Sequence, residues 1–133
     1  MFKLDDRLQN DTHFVCDLSL CRVLLMNDSQ FPWLILVPMK ADMADIIDLS
    51  EEEQRMLLEE SAHVSKTMKA QFSPYKLNVA AIGNVVRQLH VHHVARFEDD
   101  VAWPKPVWGN QPPLPYSEEK VQALLKQLRD ALL

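Results

Sequence analysis

Three of the five histidines in the sequence, His90, His92 and His93, lie within four consecutive residues. Side chains alternate between the two faces of a β-strand, so His90 and His92 would share one face of a strand in this segment. Two imidazoles at this spacing can bind a metal ion, bind an anion when protonated, or divide the nucleophile and acid roles of a group transfer. The cluster therefore predicts a chemical site, with these three kinds of chemistry open.

The two faces of such a strand differ in character. One is apolar apart from His93, which we interpret as a partly buried histidine that faces a helix and has a hydrogen-bond partner. The other face is polar and carries Gln88 and Arg96 beside the histidine pair. Arg96 fits two interpretations, phosphate binding or a salt bridge to Glu98 or Asp99.

The rest of the sequence predicts an α+β fold with a largely antiparallel sheet, because strand patterns occur in runs. The predicted strands are 12–17, 20–26, 33–37, 76–82 and 89–97. A capping box at Ser50 and Glu53 predicts a long helix over 50–72, which we expect to lie across one face of the sheet. A second helix is predicted over 117–131, at the end of the chain.

Length and charge limit the classes of protein that remain. The 133 residues fit one domain, 1–133, and the net charge of -5 would repel a nucleic-acid backbone. No apolar run suits a membrane helix, and the first residues lack the apolar core of a secretory signal. We therefore expect no membrane association, a cytoplasmic location, and reduced thiols at Cys16 and Cys21 rather than a hairpin disulfide.

Glycine and proline are distributed unevenly. The only glycines are Gly83 and Gly109, so the sequence contains no glycine-rich phosphate-binding loop. Prolines crowd the segment 104–115 and exclude regular helix and sheet there. We expect residues 101–116 to form an extended, ordered arm. Its apolar side chains, which would dock on the rest of the domain, are Trp103, Val107, Trp108, Leu114 and Tyr116.

The segment from Gln88 to Arg96, QLHVHHVAR, resembles the signature of the histidine triad (HIT) family, His-φ-His-φ-His-φ-φ, with glutamine at the first position. The surroundings are similar too. The order of the surrounding segments matches that of the family: Asn27 after the LLM strand, then the strand WLILVP, the long helix and LNVAAIGN. The later segment ARFEDDVAWPKPVWG is similar to that of bacterial HIT nucleotide hydrolases. The resemblance covers most of the chain.

The resemblance implies a HIT fold, a homodimer, and transfer of a nucleotidyl group to a histidine and then to water. The substrate would be a dinucleoside polyphosphate or a nucleoside phosphoramidate, and no metal or other cofactor is implied. His90 would attack the α-phosphorus while its other ring nitrogen donates to a backbone carbonyl. His92 would hold the phosphate or protonate the leaving group, and Gln88 would take the first triad position as the third catalytic residue.

The resemblance also implies which residues bind the substrate. Asn27 matches the position that contacts the ribose. On the phosphate side, the matching residues are Asn78, Gly83 and Asn84, and Arg96 is a further candidate.

Several positions depart from the family pattern. Gln88 replaces a titratable group, Val85 stands where a small hydroxyl residue is common, and Pro32-Trp33 replaces a Pro-Gly-His sequence. His93 stands at a usually aliphatic position. A catalytically weak nucleotide-binding module is therefore the alternative function.

A zinc-binding hydrolase is a further alternative. Two strand histidines can ligate zinc, but a structural or catalytic site needs at least one more protein ligand. The candidates for that third ligand are His13, His63 or a carboxylate, none of them at a distinctive spacing.

Overall fold

The structure, a computed structural model, describes every residue from Met1 to Leu133. A five-stranded sheet carries one long helix and a C-terminal helix, which confirms the predicted α+β class. The strands are β1 (Thr12–Asp17), β2 (Cys21–Met26), β3 (Trp33–Pro38), β4 (Lys76–Ala81) and β5 (Val91–Arg96). The helices are α1 (Asp6–Asp11), α2 (Glu51–Phe72) and α3 (Glu118–Leu132), with one 3-10 turn at Ile46–Asp48.

All neighbouring strands are antiparallel, and their order across the sheet is β1-β2-β3-β5-β4. β2 and β3 form the hairpin expected from the sequence. β5 lies between β3 and β4, so that His92 is opposite Ile35 and His93 is opposite Leu34. The histidine strand therefore has neighbours on both sides, while β4 keeps one free edge.

The long helix α2 begins where its capping box predicts. The Ser50 hydroxyl accepts from the Glu53 backbone N–H at 3.1 Å, and the Glu53 carboxylate accepts from the Ser50 N–H at 2.9 Å. These bonds satisfy two of the backbone donors that a helix N-terminus leaves free. The helix ends before Ser73, which has a φ of 50°.

Each face of the sheet contributes to a separate apolar cluster. α2 and α3 cover one face, where Leu34, Val91 and Ala95 pack with residues of both helices. The N-terminal segment and the proline-rich arm cover the other face, where Ile35 and Val94 are buried. The face expected to be polar is therefore a second core, with its histidine and arginine enclosed rather than open.

Three features differ from the sequence-based prediction of the elements. β5 starts at Val91, because the backbone N–H of Leu89 bonds to the Met43 carbonyl instead of joining the sheet. His90 therefore lies just before the strand. The short helix α1 was not predicted; the Asp5 carboxylate caps it by accepting from the Arg7 N–H at 2.8 Å. The 3-10 turn was not predicted either.

The proline-rich arm is ordered but only partly extended. Its first half consists of successive turns, held by bonds such as Lys105 N–H to the Ala102 carbonyl at 2.8 Å. Val107 is buried, as expected for a docking side chain, whereas Leu114 is 56% exposed and does not dock.

The two cysteines and the hydropathy of the helices were also subjects of sequence-based expectations. Cys16 and Cys21 are both buried and free. None of the helices combines the length and hydropathy that crossing a bilayer requires.

Candidate active site

His90 has one ring nitrogen fixed and one free. Its Nδ1 lies 2.7 Å from the backbone carbonyl of Gln88. A carbonyl only accepts, so Nδ1 carries the proton and the neutral ring keeps a lone pair on Nε2. That Nε2 has no partner in the chain and is not sealed from solvent, although the residue is only 7% exposed. This is the arrangement that a nucleophilic imidazole needs.

His92 is held at its Nδ1 by a different kind of partner. The indole N–H of Trp33 donates to this nitrogen at 3.0 Å. Burial, with smaller contributions from His90 and His93, lowers the pKa of His92 to about 3. The ring is therefore uncharged at neutral pH.

Three aromatic rings surround His92. Its ring centroid lies 4.9 Å from that of His90, 5.6 Å from that of Trp33 and 5.4 Å from that of Trp108, all in edge-on geometry. Such contacts fix the orientation of the imidazole as well as its depth. The two histidines expected to share the chemistry thus lie side by side.

A cavity of about 410 Å³ opens beside His92. Asn27 lines it, together with Trp33 and Trp108. The Asn27 side-chain oxygen accepts from the Tyr116 backbone N–H at 3.0 Å, which leaves the side-chain NH₂ without a partner in the chain. The structure therefore brings Asn27 and His92 to one cavity, with a free donor on its wall.

A smaller cavity of about 190 Å³ lies on the side of His90 and is also lined by Gln88 and Gly83. Gly83 has a φ of 72°, which a residue with a side chain adopts only with strain. A Cβ there would also approach the Val86 carbonyl to 3.2 Å. Glycine thus keeps this cavity open close to the backbone. Asn84, the next residue, is exposed and lines neither cavity.

The side-chain amide of Gln88 bonds to the N-terminal segment of the chain. Its side-chain NH₂ donates to the Lys3 carbonyl at 2.8 Å, and its oxygen accepts from the Asp5 N–H at 2.8 Å. The amide therefore ties the N-terminal segment to the residues that lead into β5. The backbone carbonyl of Gln88 is the atom that bonds to His90.

Arg96 is buried and bonds to the partly buried Asn78 in a polar cluster rather than in an open phosphate site. Arg96 is 1% exposed and donates to both oxygens of Asp100, to the Asn78 side-chain oxygen and to the Lys105 carbonyl. Burial opposes ionisation of Asp100, but the bonds from Arg96 and from backbone N–H groups lower the pKa of that carboxyl on balance. Arg96 therefore forms a salt bridge, but its partner is Asp100 and not Glu98 or Asp99 as expected. These bonds occupy its donors within the protein.

His93 lies on the opposite face, against α2, as the alternation of the strand predicts. It is fully buried, its Nδ1 is 3.1 Å from the Val91 carbonyl, and its Nε2 is 2.7 Å from the Ser61 hydroxyl. Burial lowers the pKa of His93 to about 4, so the ring is neutral and accepts from Ser61. His93 is a core residue and is more deeply buried than the partial burial that we expected from the sequence.

The structure contains no set of side chains that suits the zinc alternative. No group of three or more histidine, cysteine, aspartate or glutamate side chains is placed to hold a metal ion. His63, one of the candidate third ligands, instead bonds through Nε2 to the Leu132 carbonyl at 2.9 Å.

The fold and the paired histidines agree with the comparison to known families. Residues 7–99 match the model of the HIT domain. The chain belongs to the histidine triad, or HIT, family.

Solved structures support the same assignment. A histidine triad protein from Bradyrhizobium japonicum is 44% identical, with a TM-score of 0.97 over 99% of this chain and 98% of its own. One from Marinobacter aquaeolei VT8 is 48% identical, with a TM-score of 0.97 over 99% and 96%. One from Sinorhizobium meliloti 1021 is 42% identical, with a TM-score of 0.96 over 98% and 97%. None of the curated proteins matches the sequence.

Sequence reasoning missed the part that Trp33 and Trp108 play in the site. Trp33 was assigned only to a buried strand, and Trp108 was expected to be a docking residue of the arm. The alternation of β3 places Trp33 on the same face as Ile35, which is opposite His92. That signal was present in the sequence, but it becomes useful only when the pairing of β3 with β5 is known.

Proposed function

We propose that the protein is a nucleotide hydrolase or nucleotidyl transferase that acts on nucleoside phosphate derivatives through a nucleotidyl-histidine intermediate on His90. The observation that carries the proposal is the fixed Nδ1–H of His90, which leaves the Nε2 lone pair free. His90 lines the smaller cavity, and the adjacent ring of His92 lines the larger one. Membership of the HIT family supports nucleotide chemistry at this position.

The proposed reaction has two displacements at the α-phosphorus. In the first, Nε2 of His90 forms a bond to phosphorus, and the bond from phosphorus to the leaving group breaks with its electron pair. The positive charge that develops on the ring is stabilised by the bond from Nδ1 to the Gln88 carbonyl. In the second, water attacks phosphorus, the P–N bond breaks, and a proton of the water passes to solvent. His92 assists by binding the phosphate or by protonating the leaving group.

The cavities suggest how the substrate is divided. The larger cavity is proposed to hold the nucleoside, with the free NH₂ of Asn27 as a donor to a ribose hydroxyl and Trp108 on the apolar wall. The phosphate side is assigned to the smaller cavity, near Gly83 and the adjacent Asn84. Gln88 is proposed to occupy the first triad position, where it acts through its backbone.

A catalytically weak nucleotide-binding module is the second candidate. It is favoured by Gln88, whose side-chain amide bonds to the N-terminal segment and, unlike a histidine at this position, carries no titratable group. Such a module would keep both cavities and the nucleoside contacts, but it would turn over slowly or not at all.

Incubation with a diadenosine polyphosphate, and separately with an adenosine phosphoramidate, distinguishes the two candidates. Release of adenosine monophosphate that continues after addition of a chelator supports the enzyme and a reaction that needs no metal. Saturable binding without release supports the binding module. Activity lost on chelation and restored by zinc would support the metal alternative.

A second copy of the chain is proposed to pair along the free edge of β4. This edge lies beside an open groove of about 720 Å³ between β4 and α2, which contains the exposed side chains of Leu58 and Val79. Unpaired strand edges and contiguous exposed apolar surface are features of protein interfaces. Sedimentation at micromolar concentration tests this pairing, since a monomer there would contradict it.

A further inference from the structure

The hydrogen bond from Trp33 to His92 joins two strands of the sheet at the centre of the proposed site. Trp33 is the first residue of β3 and is 7% exposed, while His92 is 5% exposed. The indole is packed edge-on against Phe31 and Trp108 as well as His92, so its N–H has a fixed direction. At 3.0 Å this bond has ordinary length.

The chemistry of the indole determines which nitrogen of His92 carries the proton. An indole N–H donates and cannot accept. Nδ1 of His92 must therefore present a lone pair to Trp33, and the proton of the neutral ring must lie on Nε2. A doubly protonated ring would place two N–H donors against each other at a buried site, which is unfavourable.

We propose that Trp33 is a positioning residue that holds His92 as a neutral imidazole with its proton on Nε2, so that His92 donates a hydrogen bond to a phosphoryl oxygen rather than a proton to the leaving group. The hydrogen bond from His92 to a phosphoryl oxygen rests on the proposed function, whereas the tautomer does not. It selects one of the two roles that the family resemblance leaves open for His92.

The surrounding groups oppose each other in their effect on the charge of His92. Two carboxylates, Asp11 and Asp28, line the same cavity and would favour a cation. Asp28 is 4% exposed, and its Oδ1 already accepts from the Gln30 N–H, the Gln30 side-chain NH₂ and the Leu114 N–H. Burial and the neighbouring His90 and His93 disfavour the cation, and on balance the pKa of His92 is lowered to about 3.

A neutral donor has a consequence for the substrate. A neutral imidazole is a very weak acid, so it stabilises charge on a phosphoryl oxygen without releasing its proton. The leaving group must then depart with the electron pair of the broken bond and without a proton from His92. Leaving groups that are stable anions, such as pyrophosphate or the nucleoside polyphosphate released from a dinucleoside polyphosphate, suit this site. Amines, which need a proton to leave, suit it poorly.

Nuclear magnetic resonance of ¹⁵N-labelled protein without substrate tests the hydrogen bond and the tautomer directly. We expect a scalar coupling across the bond between the Trp33 indole nitrogen and His92 Nδ1, and a proton on Nε2 at pH 7. A missing coupling, a proton on Nδ1 or a doubly protonated His92 would overturn the proposal. This measurement needs neither a variant nor turnover.

A matched pair of variants tests the role of the indole N–H. Trp33→Phe removes the donor and keeps an aromatic ring, and it should raise the pH at which His92 protonates by about 1 unit, the equivalent of one hydrogen bond. Trp108→Phe also removes an indole N–H next to His92, but that N–H has no partner, so the protonation of His92 should not change. Equal titrations in the wild type and in Trp33→Phe would refute the role.

Leaving-group dependence separates this inference from the proposed function. The wild type should cleave a diadenosine polyphosphate at least about 10-fold faster than an adenosine phosphoramidate of an alkyl amine, and Trp33→Phe should lose about 10-fold in kcat with little change in KM. Equal rates on both substrates would overturn the inference and leave the proposed function standing. If neither substrate is turned over, the proposed function is wrong, and the tautomer of His92 is then decided by the nuclear magnetic resonance measurement alone.

Discussion

The rings of His90 and His92 lie 4.9 Å apart, and the Nδ1 atoms of the two rings meet opposite kinds of partner. Nδ1 of His90 faces a carbonyl acceptor and Nδ1 of His92 faces an indole donor. The neutral rings therefore present different groups at Nε2, a lone pair on His90 and an N–H on His92. Two identical residues thus expose different groups at Nε2, because their Nδ1 atoms have different hydrogen-bond partners.

Replacement of His92 should impair the reaction without removing the nucleophile. His92→Ala leaves the Nε2 lone pair of His90 in place but removes one donor to the phosphate. We expect kcat to fall by about 10²- to 10³-fold, the usual loss for one such donor. Steady-state kinetics and rapid-quench detection of the adduct check this together, since the adduct should still form, only more slowly.

The buried ion pair of Arg96 and Asp100 should matter for stability. Arg96→Met leaves the buried carboxylate of Asp100 and the partly buried amide of Asn78 without their partner and should cost about 3–5 kcal/mol of unfolding free energy. The half-exposed pair of Arg22 and Asp17 is the matched control, and Arg22→Met should cost less than about 1 kcal/mol. Chemical denaturation measures both. A stable Arg96→Met protein with weakened substrate binding would instead favour the phosphate-binding interpretation.

Protonation of His93 should limit stability in mild acid. The pKa of this ring is about 4 in the folded chain and near its ordinary value of 6.5 when unfolded. The stabilising contribution is complete above pH 6.5 and is lost as the pH falls toward 4, because the unfolded chain then binds a proton that the folded one does not. The full loss is roughly 3 kcal/mol.

A variant without this imidazole isolates its part of the acid response. His93→Val should reduce the dependence of unfolding free energy on pH between 6.5 and 4 by about half, because His92, with a pKa of about 3, contributes over the same range. Denaturant titrations at several pH values measure this. Turnover at pH 7 should stay close to that of the wild type, since His93 faces α2 and lines neither cavity. An unchanged pH dependence would show that another group carries the acid sensitivity.

Charge on the β4 edge should prevent self-association. Val79→Glu, at a residue 50% exposed in the groove beside α2, should give a monomer in sedimentation because like charges would face each other across the proposed interface. Val101→Glu is the matched control, since Val101 is 54% exposed but lies in the arm. A Val79→Glu protein that sediments as the wild type does would place the interface elsewhere or rule it out.

Local patterns were sufficient to predict most of the fold. The capping box of Ser50 and Glu53 is a short-range signal, and α2 starts where it indicates. Alternation along β5 correctly placed His93 against α2. The start of β5 was wrong by two residues, because a backbone bond from Leu89 to the distant Met43 decides it.

The site was less predictable than the fold, since its decisive contacts are long-range. The Trp33–His92 bond spans 59 positions and depends on the register of β3 with β5. The ties of Gln88 to the N-terminal segment span more than 80 positions. Arg96 was left between two roles, because its partners at Asn78 and in the turns after β5 come together only in the folded chain.

The central claim is that His90 is the nucleophile and forms the covalent nucleotidyl intermediate. Intact-mass measurement after rapid quench with a diadenosine polyphosphate tests it most directly, in the wild type and in the two single variants. We predict an adduct of one adenylyl group in the wild type and in His92→Ala, and none in His90→Ala. An adduct that persists in His90→Ala and disappears in His92→Ala would contradict the account, together with the assignment of Gln88 to the first triad position.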